Sequence, residues 1–381
     1  MPRVLLLCEY PTLNGGEYSL LAVLPHLQQA GFTFAALAPP EGPLPTALAA
    51  AGVTMTPLVT HDISGARLGQ AAIREQLAAV STAIRPDVVH ANSLSMGRLA
   101  GPVAADLGTP SVSHLRDIIG LSAQAVADLN CNRRMLAVSQ ATAEHHIAQG
   151  ADAARMHVVY NGIDIERFAP RPGTGWLRKE LGLQADAILV GAIGQLVLRK
   201  GHDTLVAAAQ ILAARFPAAH YVIVGSRFSE KAEAYAHEAA LRDAFAHGPL
   251  AGRGHFLGVR ADVELLLPEL TLLVHPARQE PLGRVLLEAG AAGTPIIATN
   301  VGGTREIFAD GTAMIVPPDD PAALASAIER FLVDERARLR FGATAAVHVR
   351  RYFSAAASAR SLAAHYLEVI DEAAQDRSWR N

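Results

Sequence analysis

Short apolar runs alternate along this chain with longer segments in which apolar residues recur at helical spacing. A run at residues 4–8 is followed by helical spacing over about residues 18–30, which Gly31 ends, and then by a second run at residues 32–37. This alternation predicts strands joined by helices, and therefore a parallel sheet with helices on both faces.

Two sets of strands are predicted, separated by a segment rich in proline and glycine at residues 168–175. The first set comprises residues 4–8, 32–37, 53–58, 87–90, 111–114, 136–139 and 157–160, and the second comprises residues 188–193, 221–224, 255–257, 270–274, 295–298 and 314–316. We therefore predict an α/β protein with two Rossmann-like, doubly wound domains, residues 1–168 and 169–354, which face each other across a cleft. A helical segment, residues 355–381, follows.

Composition excludes several classes of protein. Half of the 381 residues are apolar, so large cores can form, and the net charge of -3 gives no general attraction for nucleic acid. Cys8 and Cys131 are too few for a disulfide framework, and Cys8 is expected to be a buried thiol. No apolar run approaches the roughly 18 residues that span a bilayer. We expect a cytoplasmic protein, with peripheral contact to the inner face of the membrane as the open alternative.

Two carboxylates, Glu280 and Glu288, lie eight positions apart where a predicted strand gives way to a predicted helix. Glu280 is expected at the junction and Glu288 about two turns further on, a separation of roughly 9 to 12 Å along a helix axis. One carboxylate could then face a hexose and the other a nucleoside ribose. An amphipathic helix with an acidic first turn is the structural alternative.

The same junction is a candidate phosphate site. The backbone amides of Leu282, Gly283 and Val285 would lie at the helix start, where amides have no carbonyl partner within the helix. Arg199 and Lys200 form a cationic pair beside Gly201 at another predicted helix entrance. Such cations can offset the charge of a departing diphosphate, although a solvated surface pair is the alternative.

Three further loops carry candidate residues. Gly15 and Gly16 follow the first predicted strand, where glycine permits either a tight turn or close approach of a ligand to the backbone. His114 ends a predicted strand and could act in catalysis, whereas His90 and His275, at similar places, are interpreted as structural. Val259 and Arg260, after another strand, could contact a base or form an ordinary turn.

Two common nucleotide-binding motifs are absent. Neither the glycines at residues 14–17 nor those at residues 191–194 have the G-x-G-x-x-G spacing of a nicotinamide site, and no P-loop signature is present. A dehydrogenase and a P-loop ATPase or kinase are therefore disfavoured.

The ordered motifs resemble those of the retaining GT-B glycosyltransferases of glycosyltransferase family 4, also called glycosyl transferases group 1. The resemblance covers nearly the whole chain and rests on Gly15-Gly16, His114-x-x-Asp117, Asn161-Gly162-Ile163-Asp164, Lys200-Gly201, the pair Glu280 and Glu288, and Gly302-Gly303-x-x-Glu306. It implies transfer of a sugar from a UDP- or GDP-sugar to a hydroxyl acceptor, which is a glycan, a lipid-linked molecule or a small molecule. It also implies that the last helix crosses back onto the N-terminal domain.

The resemblance further implies a role for each matched residue. Glu280 would bind the donor sugar and stabilise an oxocarbenium-like transition state, Lys200 would bind the diphosphate and Glu288 the ribose, and His114 would contact the sugar. No cofactor is implied, and since no D-x-D motif occurs between the domains we expect no catalytic metal. Many relatives have arginine where this chain has Gln195, and Arg199 is the candidate substitute.

Two other functions stay open. A sugar-nucleotide epimerase or hydrolase would use the same fold without an acceptor, and a non-catalytic partner subunit would only bind the sugar nucleotide. The sequence also leaves open whether retention follows from attack on the face that the leaving group departs from, or from a double displacement through Glu280.

Overall fold

The computed structural model describes residues 1–378. They form two compact units. One unit comprises Met1–Ile163 together with Ser354 and the residues after it, and the other comprises Asp164–Phe353.

The first unit is built on a seven-stranded parallel sheet. Its strands are β1 (Arg3–Leu7), β2 (Thr33–Ala38), β3 (Thr54–Pro57), β4 (Val88–Ala91), β5 (Ser111–Leu115), β6 (Arg134–Ala137) and β7 (Met156–Val158). They are ordered β3-β2-β1-β4-β5-β6-β7, so the chain reverses its direction of winding between β1 and β4. Doubly wound sheets bind ligands beyond the carboxyl ends of the strands at such a reversal.

Helices connect these strands: α1 (Gly15–Gln29), α2 (Pro43–Ala50), α3 (Gln70–Ile84), α4 (Leu94–Leu107), α5 (Ala123–Asn130) and α6 (Gln140–Ile147). Serine begins three of them, because the hydroxyl groups of Ser93, Ser122 and Ser139 each accept a hydrogen bond from the amide three residues ahead. Such caps satisfy amides that have no carbonyl partner within the helix.

The second unit repeats this plan on six parallel strands, β8 (Ile188–Ile193), β9 (Ala219–Val224), β10 (Gly254–Gly258), β11 (Leu272–His275), β12 (Ile296–Thr299) and β13 (Met314–Val316). Their order is β10-β9-β8-β11-β12-β13, with the reversal between β8 and β11. Its helices are α7 (Trp176–Glu180), α8 (His202–Leu212), α9 (Ala232–Ala246), α10 (Val263–Leu266), α11 (Arg284–Ala292), α12 (Thr304–Ile307), α13 (Pro321–Val333) and α14 (Glu335–Tyr352).

The last helix, α15 (Ala355–Ser378), belongs to the first unit and packs against α1. Leu362, Tyr366 and Val369 lie in the same apolar core as the side chains of β1. Arg134 of β6 forms ion pairs with Glu368 and Glu372 of α15. Apolar burial and ion pairing therefore both hold this helix on the first sheet.

The predicted α/β fold with two parallel sheets is confirmed. Each predicted strand is present, and β8 and β13 have the predicted bounds. Cys8 is fully buried, as expected, whereas Cys131 is exposed, and neither forms a disulfide. No helix within residues 1–378 has the length and apolar character needed to cross a membrane.

Candidate functional site

In the second unit, the loops that follow β8 and β11 are held against each other beside the reversal of the sheet. Gly201 has a φ of 65°, and a Cβ at this position would lie 1.9 Å from the carbonyl oxygen of Pro276. Only glycine permits this approach. The amide of Arg278 also donates a hydrogen bond to the carbonyl of Arg199 at 2.8 Å. Lys200 on one loop is thereby placed next to Glu280 on the other.

Glu280 receives two hydrogen bonds on the same carboxylate oxygen. Lys200 Nζ lies 2.5 Å and His275 Nε2 lies 2.8 Å from Glu280 Oε2. Glu280 and His275 are both buried, with 6% and 3% of their surface exposed. Among the side chains that the structure describes, those of residues 1–376, Oε1 of Glu280 has no hydrogen-bond partner and Lys200 Nζ has no acceptor other than Glu280. One carboxylate oxygen and two N–H groups are therefore left for a ligand.

The charges of this cluster follow from burial and pairing. Burial alone would raise the pKa of Glu280, but the Lys200 ammonium and the His275 hydrogen bond outweigh it and hold this pKa well below its ordinary value of 4.5. Burial lowers the pKa of His275 below 6.5. Neutral His275 therefore donates its Nε2 proton to a Glu280 that is ionised at pH 7.

The helix after Glu280 begins within one residue of the helical spacing at residues 285–292, and it does not include Glu280. Gly283 has a φ of 100°, and α11 begins only at Arg284, so Glu280 lies in the preceding loop and Glu288 is the fifth residue of the helix. Residues 281–283 are not helical, so two full turns of helix do not separate the two carboxylates. Glu288 pairs with Arg284 at 2.8 Å, and burial raises its pKa although Arg284 opposes that shift.

The predicted phosphate amides lie at this helix start. Leu282 is buried in front of the helix, Gly283 is its N-terminal flanking residue, and Val285 lies in its first turn. A third loop joins them, because the amide of Gly303 donates to the carbonyl of Glu280 at 3.1 Å. The first turn of α11 therefore lies within a few residues of Glu280, whose carboxylate pairs with Lys200.

Three other candidates of this unit make no side-chain contact with Glu280. The side chain of Arg199 is exposed, as is Val259, which follows β10 with 65% of its surface exposed. Arg260 forms ion pairs with Asp262 and Glu180. Among the described side chains of His, Cys, Asp and Glu, no group of three or more is placed to hold a metal ion.

In the first unit, His114 belongs to a buried chain of hydrogen bonds. Its Nδ1 lies 2.9 Å from Nε2 of His90, and Nδ1 of His90 lies 2.5 Å from the hydroxyl of Tyr366 on α15. Burial and the nearby Arg116 guanidinium lower the pKa of His90 to about 3, and the pKa of His114 also lies well below 6.5 for the same reasons. Both imidazoles are therefore neutral at pH 7.

Arg116 joins the loops around His114. It donates to the Asn92 side chain at 2.9 Å and to the Asn161 side chain at 2.5 Å. A Cβ at Gly16 would lie 3.1 Å from Arg116 Cδ, so the start of α1 packs closely on this side chain. Gly15 is the first residue of the same helix.

Asn161-Gly162 and Glu17 have structural contacts. A Cβ at Gly162 would lie 2.6 Å from the carbonyl of Ser354, so this motif lies against the start of α15. Glu17 accepts a hydrogen bond from the Asn14 amide at 3.0 Å and so caps α1.

His275 was expected from the sequence to be structural, and Tyr366 had no predicted role. The position of His275 at a strand end was the one available signal, and it did not distinguish His275 from His90. Tyr366 lies on the apolar face of a long helix, which gives no sign of a polar partner 276 positions away.

The buried histidines predict how stability depends on pH. His90 and His202 have pKa values of about 3, chiefly through burial, against 6.5 for exposed histidine. Below pH 6.5 the unfolded chain binds protons at these sites and the folded chain does not, so stability is lost as the pH falls from 6.5 towards 3. For each of these two histidines, proton uptake by the unfolded chain should lower the free energy of unfolding by about 2 kcal/mol between pH 7 and pH 5.

Urea unfolding at pH 7 and pH 5 measures this loss, with His202→Gln as the matched variant. The variant cannot take up the proton, so its loss over this interval should be smaller by about 2 kcal/mol. An identical loss in both proteins would show that His202 is protonated in the folded state.

Two family profiles match consecutive parts of the chain. Residues 13–167 match Glycosyltransferase Family 4, and residues 176–348 match Glycosyl transferases group 1. D-inositol 3-phosphate glycosyltransferase 1 of Catenulispora acidiphila is 33% identical over 281 residues, which are 66% of this chain and 65% of that protein. The lipopolysaccharide core biosynthesis mannosyltransferase LpsB of Rhizobium meliloti is 32% identical over 213 residues, 55% of this chain and 60% of LpsB.

The chain thus spans about half to two thirds of the length of the curated relatives it matches. For the D-inositol 3-phosphate glycosyltransferase of Xylanimonas cellulosilytica, the matched part is 49% of that protein. Solved structures match over more of their length. HepE of Anabaena in complex with UDP-glucose has a TM-score of 0.80 at 23% identity, covering 99% of both chains. Sucrose-phosphate synthase from Thermosynechococcus elongatus has a TM-score of 0.77 at 21% identity, covering 98% of this chain and all of the other.

Proposed function

Because this chain belongs to the family of glycosyl transferases group 1, we propose that it transfers a hexose from a nucleotide sugar to a hydroxyl acceptor with retention of the anomeric configuration. The observation that carries the proposal is the cluster of Lys200, Glu280 and His275 beside the reversal of the second sheet. It combines a cation for a diphosphate with an ionised carboxylate for a sugar.

The proposed reaction breaks the bond between the sugar C1 and the diphosphate oxygen while the acceptor oxygen bonds to C1 on the same face. The proton of the acceptor hydroxyl passes to the departing phosphate. Oε1 of Glu280 accepts a hydrogen bond from a sugar hydroxyl, and its charge offsets the positive charge that develops on the ring. A double displacement would instead need Glu280 as the nucleophile. This route is disfavoured because Oε2 of Glu280 already accepts hydrogen bonds from Lys200 and His275.

The diphosphate is proposed to bind without a metal ion. Lys200 can direct its two remaining N–H groups to phosphate oxygens, and the first turn of α11 adds backbone amides of Gly283 and Val285. Together these groups offset the negative charge that the leaving diphosphate acquires. Addition of a chelator should accordingly leave turnover unchanged.

Other residues are proposed to contact the ribose, the base and the sugar of the donor. Glu288 accepts hydrogen bonds from the ribose hydroxyls, exposed Val259 contacts the base, and His114 contacts the sugar. HepE has been crystallised with UDP and with UDP-glucose, which supports a UDP-sugar as the first donor to test and a GDP-sugar as the second. The relatives named above act on different acceptors, so the acceptor is proposed only as a hydroxyl compound.

We expect one nucleoside diphosphate to raise the melting temperature by several degrees. A ligand at 100 times its Kd stabilises the folded state by about 2.7 kcal/mol. Thermal unfolding with UDP, GDP, ADP and TDP measures this, with NAD as the negative control. If none of the four diphosphates stabilises the protein, the proposed donor site is wrong.

Product analysis then separates the proposed reaction from its alternatives. Incubation of the selected nucleotide sugar with a panel of hydroxyl acceptors should release nucleoside diphosphate and form a new glycoside. Release of free sugar in every mixture would identify a hydrolase, and an epimeric nucleotide sugar would identify an epimerase.

A further inference from the structure

The hydroxyl of Tyr366 determines the direction of the buried hydrogen-bond chain in the first unit. This side chain is fully buried, and burial raises its pKa well above 10, so the hydroxyl keeps its proton. Among the described residues, its one hydrogen-bond partner is Nδ1 of His90. A buried O–H without an acceptor is costly. Tyr366 therefore donates its proton to His90 Nδ1.

This direction determines the proton positions on both histidines. A neutral imidazole carries one N–H, so His90, which accepts at Nδ1, has its proton on Nε2 and donates it to Nδ1 of His114. His114, also neutral, then has its proton on Nε2. No hydrogen-bond partner for that Nε2 lies within the described part of the chain. His90, His114 and Arg116 line a small cavity.

We propose that Tyr366 is a positioning residue which, through His90, holds His114 in its Nε2–H tautomer and makes it a hydrogen-bond donor to an oxygen of the bound sugar. His114 is then unable to accept a proton from the acceptor hydroxyl at Nε2. The identity of the ligand rests on the proposed function. The tautomer is a property of the ligand-free protein and does not.

Nitrogen NMR of protein labelled with 15N-histidine tests the tautomer without any substrate. The chain has fifteen histidines, and spectra of the His114→Gln and His90→Phe variants identify the two signals. His114 is expected to show a protonated Nε2 and an unprotonated Nδ1 in the wild type. Tyr366→Phe removes only the hydroxyl, and the tautomers of both histidines should then become mixed.

Val369→Ala is the matched control for packing. Val369 lies one turn beyond Tyr366 on α15 and is fully buried in the same core, but it makes no hydrogen bond to a histidine. This variant should lower the melting temperature and leave both histidine spectra unchanged. A change in its spectra equal to that of Tyr366→Phe would assign the effect to packing and overturn the proposal.

Steady-state kinetics test the expected effect on use of the donor sugar. Tyr366→Phe should lower kcat/KM for the donor sugar about five-fold, the worth of one neutral hydrogen bond, and leave the affinity for free nucleoside diphosphate unchanged. In a His90→Phe background the same substitution should have no further effect, because the chain is already broken.

Two results would overturn the inference, and they differ from failure of the proposed function. If His114 in the wild type has its proton on Nδ1, the hydrogen bonds run in the opposite direction. If the tautomers are unchanged in Tyr366→Phe, the hydroxyl of Tyr366 does not determine them. A protein that binds no nucleotide sugar but shows the expected tautomers would contradict the proposed function and leave the positioning by Tyr366 intact.

Discussion

Replacement of Glu280 by glutamine is expected to lower kcat about a hundred- to a thousand-fold, the usual loss for removal of one preorganised electrostatic group. The ionised Oε1 is the carboxylate oxygen left for the sugar, and glutamine there cannot offset a positive charge on the ring. The affinity for free nucleoside diphosphate should change only a few-fold, because the sugar is absent from that ligand. Turnover at saturating donor and calorimetric titration with the diphosphate measure the two quantities.

Glu269→Gln is the matched control for this substitution. Glu269 is as deeply buried in the same unit, where it accepts hydrogen bonds from the amides of Thr174 and Gly175. Its replacement should lower stability and leave kcat nearly unchanged. Equal losses of kcat and diphosphate affinity in Glu280→Gln would instead assign Glu280 to ground-state binding.

Replacement of Lys200 by methionine is expected to weaken nucleoside diphosphate binding about thirty- to a hundred-fold. Methionine keeps an apolar stem and removes the charged donor, and a hydrogen bond to a charged group contributes about 1.5 to 3 kcal/mol. The pKa of Glu280 should rise as well, because the Lys200 ammonium is the main group that lowers it. Calorimetric titration with the diphosphate measures the loss of affinity.

Two further variants serve as controls for Lys200→Met. Lys179→Met removes an exposed lysine on α7 of the same unit and should leave diphosphate affinity unchanged. Arg199→Met tests whether the exposed arginine compensates for Gln195, and a loss comparable to that of Lys200→Met would show that it does. Unchanged diphosphate affinity in Lys200→Met would show that the phosphate site does not include the loop that carries Lys200.

The sequence predicted the two-sheet fold because buried parallel strands are short apolar runs between helical segments. Residues 188–193 and 314–316 are such runs, and β8 and β13 have these bounds. The limits of β6 were less accurate. The strand was predicted at residues 136–139, but it begins at Arg134, whose side chain pairs with α15, and ends at Ala137. Periodicity cannot show a partner in a distant helix.

The candidate site was less predictable because its geometry depends on contacts between distant residues. Lys200 and Glu280 were identified separately, but their ion pair depends on the close approach of Gly201 to Pro276, which no local pattern records. The backbone between Glu280 and Glu288 was misjudged, because Gly283, with a positive φ, comes between Glu280 and the start of the helix. The hydrogen bond from Tyr366 to His90 joins positions 276 residues apart.

The division of the chain between the units has a consequence for synthesis on the ribosome. The core of the first unit includes Leu362, Tyr366 and Val369, so β1 to β7 emerge long before the helix that completes their packing. The second unit is continuous from Asp164 to Phe353 and can bury its own core as soon as it has left the exit tunnel. The N-terminal half of the molecule is therefore the last to reach its native packing, and until α15 is made its apolar strands expose surface that favours aggregation.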